Sequence, residues 1–254
     1  MSDSVLYDIR GPAAILTLNR PAQRNSVDAE MTGALRSNLS RFEADENARV
    51  GILTGAGDVF CAGMDLKAFL DGDGEAILFG DGHFAGFVNA PRTKPVIAAV
   101  NGPALAGGCE LALACDLIIA SDTAAFGLPE VGVGLFACAG GPFRLARRIP
   151  ATRALELALT GDRLPAEEAL GLGLVNRVVP KSEVLDAAVA LAARIARNAP
   201  LGVAASLALS RAASAEHDLW ELNDALWAKV GISSDAREGP LAFKEKREPR
   251  WRGV

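Results

Sequence analysis

The apolar positions of this chain fall into two patterns. Short runs with few polar residues, AAILTLN (residues 13–19), VGILTG (50–55), PVIAAV (95–100) and LIIA (117–120), end at Arg20-Pro21, at Gly55 and Gly57, or at polar turns. Runs of this length and content predict strands buried on both faces. Between the first two runs, Met31, Leu35, Leu39 and Phe42 recur at helical spacing after Asp28, a residue suited to cap a helix start. Strands alternating with helices predict an α/β fold with a covered sheet. From about Ser182 the pattern is helical only: Leu185, Val189, Ala192 and Ile195 form one stripe, and Leu219, Leu222, Leu226 and Val230 another. The expected division is an α/β core, residues 1–195, and a helical C-terminal region, residues 196–254. The Gly/Asp-rich stretch DGDGEAILFGDGHFAG (71–86) reads as a mobile loop.

Composition excludes several alternatives. With 254 residues, 50% of them hydrophobic and 22% charged, the chain can bury a large core. A net charge of −5 argues against a nucleic-acid footprint, which needs a basic face. The four cysteines, Cys61, Cys109, Cys115 and Cys138, form no CxxC and meet no histidine cluster, so buried free thiols in a reducing cytosol are expected. The opening MSDSVLYDIRG has no basic stretch followed by an apolar core, so no signal peptide is expected. Residues 95–120 are apolar enough to raise the question of a membrane helix, but Asn101, Glu110, Asp116 and the glycines favour a protein interior. The expectation is a cytoplasmic protein.

The candidate chemistry begins with NGPALAGGCELALACD (101–116), where Glu110 stands alone in an apolar stretch. An unpaired carboxylate there is costly to keep charged. Gly107 and Gly108 follow a strand and open a short helix, where main-chain N–H groups lack partners and the dipole favours negative charge. The plain interpretation of Glu110 is a first-turn glutamate beside a tight turn. CAGMDLKAF (61–69) also runs from strand to helix through a glycine, with Asp65 placed as a cap. Two such turns can aim two N–H groups at one oxygen, forming an oxyanion hole. FGLPEVGVG (126–134) places Glu130 twenty positions after Glu110; an exposed loop glutamate is its plain interpretation. His83, beside Phe84, is expected to line the same pocket, and His217 to lie on a helix surface.

Together these stretches resemble the crotonase, or enoyl-CoA hydratase/isomerase, superfamily. The resemblance runs from LTLNRPAQRNSV (16–27) through CAGMDL, KPVIAAVNGPALAGGCELALACD, FGLPEVGVG and AEEALGLGLVNRVV (166–179) to SDAREGPLAFKEKREPRW (234–251). GHFAGF and KPVIAAVNGPAL are most similar to the carnitinyl-CoA dehydratase-like branch. The resemblance implies a spiral of repeated ββα units with a C-terminal helical trimerisation region, as a homotrimer or a hexamer of two stacked trimers. It implies an acyl-CoA thioester substrate, a place in fatty acid metabolism, and no metal or redox cofactor, no nucleic acid and no membrane. By position, the N–H groups of Met64 and Gly107 hold the thioester carbonyl, and Glu110 and Glu130 are the catalytic pair. Arg24, Ser26, Ala62, Asp65 and Leu66 match positions along the CoA channel. Phe243 and Lys246 match positions that reach CoA, commonly on a neighbouring subunit.

These residue types suit the addition of water to a 2-enoyl-CoA thioester. Negative charge develops on the carbonyl oxygen, where two N–H groups stabilise it, and two carboxylates handle the protons of water and Cα. Double-bond isomerisation or another acyl-CoA reaction is the alternative, and a non-catalytic acyl-CoA binder a second; the paired carboxylates favour hydration. One departure bears on the acyl group. ACAGG (137–141) places Cys138 where hydratases carry a glycine and the carnitinyl-CoA enzymes an aspartate. A side chain there reshapes the pocket, and a pocket-lining thiol is the plainer interpretation beside a catalytic one.

Overall fold

The computed structural model describes residues 3–133, 135–213, 233–235, 238, 242 and 245–254. The strands among the described residues are β1 (Val5–Arg10), β2 (Ala13–Leu18), β3 (Val50–Gly55), β4 (Val96–Val100), β5 (Ala104–Leu105), β6 (Leu117–Ser121), β7 (Ala125–Gly127), β8 (Arg163–Pro165) and β9 (Arg177–Val179). The helices are α1 (Ala29–Ala44), α2 (Leu66–Ala68), α3 (Gly74–Leu78), α4 (Gly107–Ala114), α5 (Gly141–Arg148), α6 (Ala151–Thr160), α7 (Ala166–Gly171), α8 (Val184–Ala196) and α9 (Pro200–Ala212). A six-stranded sheet runs in the order β1-β2-β3-β4-β6-β9, parallel except for the β1–β2 hairpin. A second sheet joins β5, β7 and β8.

Side-chain alternation splits the core across the large sheet. Ala14, Leu16, Leu18, Leu53, Ala98, Val100 and Ile118 face the cluster built with α1 and α4. Ala13, Ile15, Ile52, Ile97, Ala99 and Ile119 face the other way, onto α8. The sheet is therefore covered on both sides, which is why its central strands read as unbroken apolar runs. Strand β3 has the bounds expected from sequence, and Asp28 caps α1 by accepting the Met31 N–H at 2.8 Å. In α8 the buried line is Val184, Ala188 and Ala192, with Leu185, Val189 and Ile195 partly buried beside it. The expected stripe is rotated because two alanines let the helix approach the sheet closely. Strand β1 escaped the sequence pattern; it is an edge strand on which Val5 alone is buried.

The stretch 71–86 is not an open loop. It holds α3 and a tight turn at Phe84–Gly86, and Ile77, Phe84 and Ala85 are buried. Three apolar anchors outweigh its turn-rich composition. The second C-terminal stripe, Leu219 to Val230, lies outside the described residues. On α9, Arg211 donates to both oxygens of Asp116, at 2.8 and 2.9 Å, tying that helix to the start of β6. Among the described residues no helix is long and apolar enough to cross a membrane.

Candidate active site

The segment leading into the first glycine turn is held by a residue the sequence did not advertise. Asn25, fully buried at a φ of +56°, accepts the Arg20 N–H at 2.9 Å and donates to the carbonyls of Ala56, Val59 and Phe60. This fixes the approach to Cys61, whose carbonyl accepts the Leu105 N–H at 3.0 Å and so aligns residues 61–64 beside β5 and the start of α4. Asp65 caps α2 through the N–H groups of Lys67 and Ala68, and Arg20 donates to its other oxygen at 3.2 Å. Gly63 has a φ of +97°, and a Cβ there would come 3.0 Å from Gly107 N, so glycine allows the two turns to close on each other. Ala106 is held at φ +52°, ψ −131°, a strained setting for an alanine, immediately before the first residue of α4. The N–H groups of Met64 and Gly107 bond to no other described residue, and both residues border a cavity of 550 Å³.

Glu110 lies in the first turn of α4, only 3% exposed. Its Oε1 accepts the N–H groups of Ala139 and Gly141, each at 2.8 Å. Burial pushes its pKa up, while these two bonds and the charge of Arg144 work in the opposite direction. Glu130 sits in the turn Pro129–Val133 and lines the same cavity. Its Oε2 is buried with no hydrogen-bond partner among the described residues. Burial pushes its pKa up to about 7, its own main-chain N–H opposing and the charge of Glu110 adding to the shift. The two carboxyls thus share one cavity in opposite settings: Glu110 receives two N–H donors, and one Glu130 oxygen receives none.

Ala62, Leu66 and Cys138 also line the cavity, together with the rings of Phe69, Phe79, Phe84 and Phe136. Burial and the nearby carboxylates raise the pKa of the Cys138 thiol, its own main-chain bond opposing, which favours the protonated form of a residue that lines the cavity. All four cysteines are free. Arg24, Ser26 and Asp65 border the turn without lining this cavity: the Arg24 carbonyl accepts the Ala62 N–H at 3.0 Å, and Ser26 Oγ lies 3.4 Å from Asp65. Lys246 is exposed, and Phe243 lies outside the described residues. His83 is exposed and does not line the cavity; its neighbour Phe84 turns inward instead, filling the space over Gly107. His217 lies outside the described residues. The described residues hold no group of three or more potential ligands that could bind a metal ion.

Comparison with known proteins extends the likeness to almost the full length. The family described as enoyl-CoA hydratase/isomerase matches residues 9–254. The chain belongs to that family. A carnitinyl-CoA dehydratase of Proteus mirabilis is 44% identical, with 100% of both chains covered. An enoyl-CoA hydratase of Mycobacterium tuberculosis is 46% identical and superposes with a TM-score of 0.95, again with 100% of both chains covered. A carnitinyl-CoA hydratase of Mycobacterium avium is 44% identical over 100% of both chains, with a TM-score of 0.78. The mixed α/β architecture is that of the enoyl-CoA hydratase/isomerase fold.

Proposed function

We propose that this member of the enoyl-CoA hydratase/isomerase family adds water across the double bond of a 2-enoyl-CoA thioester. The observation that carries the reading is the pair of carboxyls in contrasting settings beside two unpaired N–H groups. Two N–H donors favour the ionised form of Glu110, which takes a proton from water. The water oxygen bonds to Cβ, and the π electrons move onto the thioester oxygen. That oxygen accepts the N–H groups of Met64 and Gly107, which are aimed before any charge develops. Glu130, poorly solvated and without a donor on Oε2, favours the neutral form and gives its proton to Cα. After product leaves, the proton gained by Glu110 is lost to solvent and Glu130 regains one, which restores the starting state, and the scheme calls for no metal or redox group.

Incubation with a panel of enoyl-CoA thioesters, followed by product masses, tests this. A gain of one water is expected; an unchanged mass with a moved double bond would replace the reading by isomerisation, and no turnover by simple binding. Activity should also follow pH on both sides. As pH falls Glu110 takes up a proton, at a higher pH than an ordinary carboxylate because burial raises its pKa, and the base is lost; as pH rises through about 7, Glu130 gives up its proton and the acid is lost. A bell-shaped kcat/KM profile is the expected result, and a flat profile across the neutral range would contradict the division of roles.

The likeness to hydratases also supports a homotrimeric or hexameric assembly in the cytoplasm, with residues 196–254 as the oligomerising part and Phe243 and Lys246 reaching CoA. Truncation before Ser234 is expected to weaken CoA-ester binding and association. Sedimentation and a binding titration check both, and an unchanged mass and affinity would refute it.

A further inference from the structure

Arg144 stands on the first turn of α5 and reaches in two directions. Its Nη1 donates to the Ala139 carbonyl at 2.9 Å, and its Nη2 to the Val88 carbonyl at 2.6 Å. Ala139 is one of the two residues whose N–H groups hold Glu110 Oε1. Val88 follows the turn Phe84–Gly86, and its N–H donates to the Phe84 carbonyl at 3.3 Å. The Phe84 ring, in turn, occupies the space that a Cβ on Gly107 would need. Gly140 lies between the two N–H donors at a φ of +98°, and a Cβ there would overlap the Arg144 guanidinium. The loop and the arginine are fitted to each other.

We propose that Arg144 is a positioning residue for the reaction: it clamps the loop that supplies the two N–H donors of Glu110 to the loop that seats Phe84 against the Gly107 turn. The proposal deepens the hydratase reading, because it takes Glu110 as the base. A guanidinium suits the task because its planar fork serves two carbonyls at fixed separation, which an ammonium cannot do.

The clamp also carries charge. Around Glu110 stand Arg144, Glu130 and the thiols of Cys109 and Cys138. Around the Arg144 guanidinium stand Arg92, Arg148, Cys115 and Glu110, with the Phe143 ring centre 5.3 Å away. Arg144 draws the Glu110 pKa down against the effect of burial, so its loss moves that titration to higher pH.

The test compares Arg144→Met with Arg144→Lys, using crotonyl-CoA hydration and its pH profile. In Arg144→Met kcat is expected to fall about 10–100-fold with KM little changed, because the base is displaced rather than the substrate. The acid limb of the profile should move to higher pH. Arg144→Lys keeps the charge and one of the two contacts, so it should restore the limb while recovering kcat only in part. A lowered kcat with an unmoved limb in a folded Arg144→Met would reduce Arg144 to a structural role, and a kcat within twofold of wild type would overturn the proposal. If Arg144→Met does not fold, Arg144→Lys decides: a wild-type limb with lowered kcat supports the clamp, and an unchanged kcat overturns it. Infrared titration of the Glu110 carboxyl in the resting enzyme, its band identified by loss in Glu110→Gln, keeps the two readings separable. If wild type hydrates no enoyl-CoA, the reaction reading fails; the clamp then stands or falls on whether the Glu110 titration moves in Arg144→Met.

Discussion

Glu110→Gln and Glu130→Gln should each lower kcat for hydration about 10²–10⁴-fold, the usual worth of a positioned acid or base, while the thioester still binds. Glutamine keeps the volume of glutamate and can accept the Ala139 and Gly141 N–H bonds at position 110 through its amide oxygen. It cannot take a proton from water, so loss at Glu110 isolates the base. At position 130 the amide cannot deliver the proton that a carboxyl of pKa about 7 holds near neutrality. The two residues face one cavity and, in the proposed scheme, serve one addition step, so the double variant should be little worse than the poorer single one. An isomerase would depend on one of the pair much more than on the other, since a single group can carry a proton between carbons. Single-turnover rates for the three variants distinguish these cases, and near-wild-type hydration in Glu110→Gln would sink the mechanism.

The second large effect is expected at Gly107. Gly107→Pro removes one of the two N–H groups proposed to hold the thioester oxygen, a loss typically worth about 10²–10³ in kcat. Proline also adds bulk where the Phe84 ring already sits, so a loss of rate has two possible origins. Gly107→Ala separates them. Its N–H is intact, but its Cβ overlaps the Phe84 ring, so activity should fall through the displaced turn. Adding Phe84→Leu, which opens that space, should recover turnover in Gly107→Ala and not in Gly107→Pro. Met64→Ala should be mild, because the proposed contact is main-chain. A folded Gly107→Pro at the wild-type rate would show that the oxygen is held elsewhere.

What could be read from the sequence follows from how local each cause is. Strand β3 was legible because both of its faces are buried, so nearly every residue is apolar. Asp28 was legible because a cap is a contact three residues away. Glu110 stood out because a carboxylate amid alanines and leucines needs a reason. Strand β1 was hidden because an edge strand has one wet face. His83 and Phe84 are neighbours in the chain, and only packing against Gly107 decides that Phe84 is the one that turns inward. Ala139 and Gly141 were invisible as donors because a main-chain N–H is the same in every residue; their role depends on a loop that folds back some thirty residues onto α4. Asn25 lay within a motif quoted for its resemblance, yet its four hydrogen bonds join segments that only the fold brings together. The family resemblance supplied the pairing of Glu110 with Glu130, and the contrast between their surroundings arises only in the folded chain.

The double-sided sheet also sets a timetable for the newborn chain. Ile15 and Ile52 are synthesised long before Val184, Ala188 and Ala192, the residues of α8 that cover them. At ribosomal speeds of about 5–20 residues per second, that face waits roughly ten to thirty seconds for its cover. A nascent chain at this stage presents a row of isoleucines to its surroundings, a natural substrate for a holding chaperone. Translation that stops short of α8 leaves this face uncovered, so premature termination there yields an aggregating fragment rather than a smaller enzyme.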